Sequence, residues 1–183
     1  MPEIAAHTLA VLSTAFNSHH GRIYLGVVLG FVLLLVLLRR SVALLSVVAF
    51  PGTLLHELLH FFVGLLLLGR PLGFSVIPRR VSHGYALGSV RFANVRWYNG
   101  CFIGLAPLLL LPLALWLLAW RLHGLQGWPP QELAWSYLLA TLIYASLPSW
   151  PDIKIAAASS WLLLLATAVY WMLTNEGFRV AKL

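Results

Sequence analysis

Long apolar runs alternate with short polar interruptions along this chain. The runs have the length of membrane spans rather than of strands or surface helices. The first clear one, IYLGVVLGFVLLLVLL at Ile23–Leu38, is closed by Arg39-Arg40. The next, Ser41–Gly69, is longer than one straight span requires and is interrupted by Pro51-Gly52. Proline lacks a backbone donor and either kinks a helix or starts one. A short lead-in before Pro51 and then a helix to about Leu68 is therefore expected. Gly69–Pro71 close that helix with a glycine stop and a following proline. Three more runs follow: Phe102–Trp120, which contains Pro107 and Pro112, then Glu132–Leu147, then Ile153–Leu173. A Gly/Pro-rich loop, Arg121–Gln131, and the break PSWPD, Pro148–Asp152, separate them. The expected fold is an all-α polytopic membrane protein, one integral domain over 1–183. It has about five transmembrane helices, at 23–38, 50–69, 102–120, 132–147 and 153–173.

One segment breaks the helical pattern. Gly73–Phe92 carries short β-type runs, FSVI and ALGSVRF, around a turn-rich SHGY, which predicts a β-hairpin at the membrane surface over about 73–92. Arg79, Arg80, Arg91 and Arg96 then face water or headgroups. Ile4–Phe16 is too short to span and is expected at the interface. The N-terminus lacks the basic region and cleavage site of a signal peptide, so the first span is expected to be retained.

Composition agrees with the pattern: 61% of residues are hydrophobic, 9% are charged and the mean hydropathy is +0.88. Such a chain belongs in a bilayer and leaves no room for an ordinary soluble domain. The net charge of +7 does not point to nucleic acid, because the cations sit between apolar runs, where they meet headgroups or set topology. Trp97, Trp120, Trp128, Trp135, Trp150 and Trp171 all fall near predicted span ends, as interfacial aromatics do. The lone Cys101 reads as a small buried residue, and His19-His20 reads as a solvated loop. Gly26 and Gly30 form a GxxxG pattern through which a neighbouring helix could approach.

The chemistry concentrates in FPGTLLHELLHFF, Phe50–Phe62, where two histidines and a glutamate interrupt an otherwise apolar helix. A lone charge at the bilayer centre costs at least about 2.5–3.5 kcal/mol on insertion scales. Such groups persist where they pair, bind metal or line a water cavity. His56 and His60, four residues apart, project from one helix face, so two imidazoles can meet one zinc ion at about 2.0–2.1 Å. Glu57 beside them is placed as a general base, taking a proton from a water whose pKa zinc lowers towards about 7.

A catalytic zinc has three protein ligands and an open position. His83, His123, Glu132, Asp152 and Glu176 are the remaining candidates. The predicted topology puts PSWPD on the face that holds the hairpin, and His123, Glu132 and Glu176 on the other. His60 lies about 13 Å along the helix from Gly69, so Asp152 must dip into the membrane to reach it, which Pro148 and Pro151 permit. The small side chains of Ala156–Ser160 would let the last span press close to the HELLH helix. Asp152 as a plain helix cap and His83 as the third ligand are the alternatives. Asn94, Asn99 and His83 are candidates for steadying an oxyanion.

HELLH within a span, a hairpin after it and an Asp at a distant helix break resemble the site-2 protease family of intramembrane zinc metalloproteases. The resemblance covers roughly residues 50–165. It is carried by HELLHFFVGLLLLGRPLGFSVIP and by GLAPLLLLP, while SLPSWPDIK departs from the family pattern, with two prolines present but the family's Asn and Gly absent. It implies Zn2+ as cofactor, His56, His60 and Asp152 as metal ligands, Glu57 as catalytic base, and a membrane-protein or membrane-peptide substrate cleaved in or beside its transmembrane segment. The rival reading is a non-proteolytic zinc-binding membrane protein or a small metal-handling carrier. A carrier wants polar groups along a path, whereas here they gather at one depth. Arg22, Arg70, Arg79, Arg80, Arg91, Arg96 and Lys154 on the hairpin face outnumber Arg39, Arg40, Arg121, Arg179 and Lys182 on the other, which favours the hairpin face as cytoplasmic.

Overall fold

The computed structural model describes residues 10, 13–14, 17–81, 84–123 and 129–174, without the side chains of 81, 84, 162 and 163. His83, Trp128, Glu176 and the expected interfacial segment, apart from residues 10 and 13–14, lie outside the described residues. The chain is mostly α-helical and is an integral, multi-pass membrane protein. Helix α1, His19–Leu37, runs on through a 3₁₀ turn at Leu38–Arg40. Ser18 caps it by accepting the Gly21 N–H at 3.0 Å. His19-His20 therefore open this helix, exposed, rather than forming a loop. After α2, Val42–Val48, and α3, Phe50–Leu66, come four short strands, β1 Pro71–Ser75, β2 Arg79–Val81, β3 Gly84–Ala86 and β4 Ser89–Phe92. A short helix α4, Gly100–Leu105, leads through a 3₁₀ turn at Ala106–Leu109 into α5, Leu110–His123. The last two helices are α6, Gln131–Ala145, and α7, Trp150–Thr174.

Two helical units are long and apolar enough to cross a bilayer, His19–Arg40 and Gly100–His123. Counting each of two bent pairs as one span brings the number to at most four among the described residues: α2 with α3, bent by 77°, and the two halves of α7, bent by 44°. The fifth expected span, α6, has only 15 residues, about 22 Å of helix against a hydrocarbon core of about 30 Å. Pro129-Pro130 and Pro148 bracket it and fix its length. Much of it packs against protein: Glu132, Ser136, Leu139, Ala140, Thr141, Leu142 and Ala145 are all buried, while Leu133 is 52% exposed. The other helices expose leucines broadly, with Leu29, Leu33 and Leu66 each more than half exposed. Those are lipid-facing surfaces.

Helices in lipid gain no hydrophobic effect from one another, so close packing of small residues decides which faces meet. The GxxxG at Gly26 and Gly30 meets no helix among the described residues, since nothing there lies within 4 Å of the position of a Cβ at either. A second GxxxG is used. At Gly100 a Cβ would overlap Ser159 of α7, and at Gly104 it would overlap the Asp152 carbonyl and Ala156. The small residues of Ala156–Ser160 thus press against α4, not against α3 as the sequence suggested. Gly52 of α3 in turn meets the Thr141 carbonyl of α6. Because backbone cannot yield as a side-chain tip does, Gly52→Val should destabilise the protein by about 1–3 kcal/mol. The drop would show in the thermal unfolding midpoint in detergent. An unchanged midpoint would mean that these helices do not approach so closely.

The expected hairpin is two nested antiparallel pairs, β1 with β4 and β2 with β3. Phe74 faces Val90 in the outer pair, and Arg80 faces Tyr85 in the inner. Val76–Pro78 and Leu87-Gly88 interrupt the ladder between them. The outer pair lies along α3, where the Phe92 ring sits against Gly64 and Phe61 meets Phe74 edge-on at 6.3 Å.

Candidate metal centre

The HELLH helix begins at a real break. The chain turns by 77° between α2 and α3, with Ala49 between the two helices and Pro51 in the first turn of α3. Its far end closes on Leu68, whose φ of 59° is left-handed, while the Gly69 N–H returns to the Gly64 carbonyl at 2.6 Å. Two asparagines secure that end. Asn99, fully buried, donates to the Leu67 carbonyl at 3.2 Å and the Asn94 carbonyl at 3.0 Å. Asn94 donates to the Leu68 carbonyl at 2.9 Å. Both amides are thus committed to the backbone that ends α3, away from the role of oxyanion donor.

His56 and His60 lie one turn apart, with Nε2 atoms 3.2 Å apart. Asp152, from the first turn of α7, completes a triangle. Its Oδ1 is 3.3 Å from His60 Nε2 and its Oδ2 is 3.5 Å from His56 Nε2. The ligand atoms of the three residues all lie within 4.8 Å of one another. The side chains of His56, His60 and Asp152 are 12%, 6% and 14% exposed. Such a His/His/Asp cluster can coordinate a metal ion.

The second ring nitrogens fix the tautomers. His56 Nδ1 is 2.7 Å from the Ala145 carbonyl, and His60 Nδ1 is 2.7 Å from the Ile103 carbonyl. A carbonyl only accepts, so each Nδ1 carries the proton, and in its neutral form each ring turns its Nε2 lone pair inward. With both rings neutral, two lone pairs and a carboxylate face each other, an arrangement a cation resolves. The edge of a tetrahedron with arms of about 2.0–2.1 Å is about 3.3–3.4 Å; the two Nε2 atoms are 3.2 Å apart, and each has a different oxygen of Asp152 at 3.3–3.5 Å. The donor set and its spacing fit a metal with nitrogen and oxygen ligands.

Both carbonyls lack their usual helical donor four residues on, although the Ile103 oxygen also accepts the Ala106 N–H. The residue four beyond Ile103 is Pro107, which has no N–H to return to that carbonyl. The residue three beyond Ala145 is Pro148. The one four beyond is Ser149, whose N–H is taken by Asp152 Oδ2 at 2.7 Å. Asp152 therefore has two jobs, reaching back to the start of α7 as the acidic member of a capping box and closing the triangle. Cap and candidate ligand are not alternatives for this residue.

Glu57 is outside the triangle, 6% exposed, and no hydrogen bond reaches its carboxylate among the described residues. The chain passes directly over it at Gly88, where a Cβ would lie 2.6 Å from Glu57 Cγ and Oε1. Glu132 is far off along α6, paired with Arg121 and 1% exposed. His123 ends α5. Neither joins the cluster, while His83 and Glu176 lie outside the described residues. Cys101, expected to be buried, is half-buried and accepts from Ser160 Oγ at 3.3 Å. The carbonyls of Ile103 and Ala145 went unanticipated, although prolines at 107 and 148 mark helix carbonyls that lack their usual donors.

No protein-family model matches this chain, nor does any curated protein or solved structure. The functional reading therefore rests on the residues themselves.

Proposed function

We propose that the protein is a zinc-dependent intramembrane endopeptidase of the site-2 protease kind, cleaving a peptide bond within or next to a substrate's transmembrane segment. The observation that carries this is the buried His56/His60/Asp152 triangle, its rings tied back through Nδ1, beside an acid that takes no part in it. His56, His60 and Asp152 hold the metal, and Glu57 is the general base. Zinc bound there would polarise a scissile carbonyl and make water more acidic at its open position.

The remaining work falls to the chain. Glu57 accepts a proton from the attacking water, the water oxygen bonds to the carbonyl carbon, and the C–N bond breaks. Glu57 then returns the proton to the leaving amine nitrogen. Burial of the site excludes bulk water. An intact helix hides its peptide bonds, so the substrate must unwind locally. The open edges of β1 and β4, which lie along α3, offer main-chain partners to an extended segment.

The test is cleavage of a transmembrane reporter by purified protein before and after chelation, with zinc restored afterwards. Loss on stripping and recovery on reloading are expected. Cleavage indifferent to chelation would sink the proposal. Tight zinc without cleavage would favour the other reading, a structural metal. That reading draws its support from Asp152, which joins the triangle to the start of a helix.

A further inference from the structure

A groove opens on a different surface. Where the approach to α4 meets the first turns of α7, an open groove of about 380 Å³ is lined by Val95, Arg96, Trp97, Lys154, Ile155 and Ala158, among others. Its floor is apolar and its rim is cationic. Arg96 Nε donates to Asn94 Oδ1 at 2.6 Å, which orients the guanidinium and leaves its terminal nitrogens without a protein partner among the described residues. Lys154 Nζ sits 5.6 Å from the Trp150 ring centroid and meets no carboxylate among the described residues. The acids there are already engaged: Asp152 faces the histidines, Glu132 pairs with Arg121, and Glu57 is enclosed at the candidate centre. Trp97 and Trp150, 55% and 61% exposed, flank the groove, as tryptophans do at headgroup depth.

We infer that this groove binds an anionic phospholipid, its phosphate between Arg96 and Lys154 and one acyl chain along Val95, Ile155 and Ala158. The occupant follows from what the groove offers. An arginine fork and a lysine point charge suit a phosphate, and an apolar floor continuous with the lipid-facing surface suits a hydrocarbon tail. A soluble anion would use only the rim.

The full chain, reconstituted with phosphatidylcholine and phosphatidylglycerol together, is examined by native mass spectrometry for retained lipid. The parent is expected to keep phosphatidylglycerol preferentially. Arg96→Gln/Lys154→Gln should lower that preference roughly twenty-fivefold, two surface cations contributing roughly fivefold each. Ala158→Trp fills the floor, leaves both cations and should weaken retention as well. Arg22→Gln/Arg40→Gln removes equal charge elsewhere and should change little. A preference that survives the first pair, or that the second pair abolishes equally, overturns the site. Binding of a soluble acidic peptide with no lipid preference would also overturn it, by assigning the groove to a protein partner. None of these measurements requires metal or cleavage, so the outcome is independent of the proposed peptidase activity.

Discussion

Glu57→Gln should leave the protein folded and loaded with metal while cleavage falls by roughly 10²–10⁴-fold, the range that a positioned general base contributes. Glutamine keeps the volume and fits under Gly88, where an added Cβ would lie 2.6 Å from the Glu57 side chain. It cannot accept the proton. Because Glu57 is not among the atoms of the triangle, metal content should stay at the parent's level by elemental analysis. Removing a charge from an apolar helix should leave thermal stability unchanged or raise it. Cleavage at the parent's rate would rule out Glu57 as the base. Loss of metal together with activity would make it a ligand instead.

The second large effect concerns Asp152, whose two functions can be separated by two substitutions. Asp152→Ala removes a ligand and a cap together. Metal affinity should fall by more than about a hundredfold, since even partners outside the ligand set cost roughly 10–100-fold. Loss of the cap should cost about 1 kcal/mol more. Asp152→Asn keeps an oxygen for the Ser149 N–H, now bound at 2.7 Å, but loses the carboxylate charge. It should retain stability and still bind metal poorly. Titration with a competing chelator measures the first quantity and thermal unfolding the second. Affinity unchanged in both variants would remove Asp152 from the ligand set.

Much of this was legible in the sequence. Apolar runs located the helices, Pro51 located the start of the HELLH helix, and the i, i+4 histidines are on one face because helical periodicity requires it. Close packing was not legible. Gly26/Gly30 and Gly100/Gly104 are the same motif, and only the second meets a partner among the described residues, because partner choice depends on which faces the loops bring together. The length of α6 was not legible either: its apolar run reads as a span, whereas the helix itself has 15 residues and packs one side against protein. Asp152 was visible as either cap or ligand. Its double role needed the geometry, since it depends on how α7 starts beside α3.

The two carbonyls behind the histidines have a further consequence. The acceptors that set both imidazole tautomers are main-chain atoms, at Ile103 and Ala145. No substitution at either position deletes its acceptor, so the orienting shell tolerates drift in side chains and leaves no signature at those positions. Its weakness lies elsewhere, in whatever holds the backbone in place. A bulky residue at Gly104, beside Ile103 and against the Asp152 carbonyl, would move an orienting oxygen and a candidate ligand together. Damage to the centre is then expected also from changes at small residues that touch no metal.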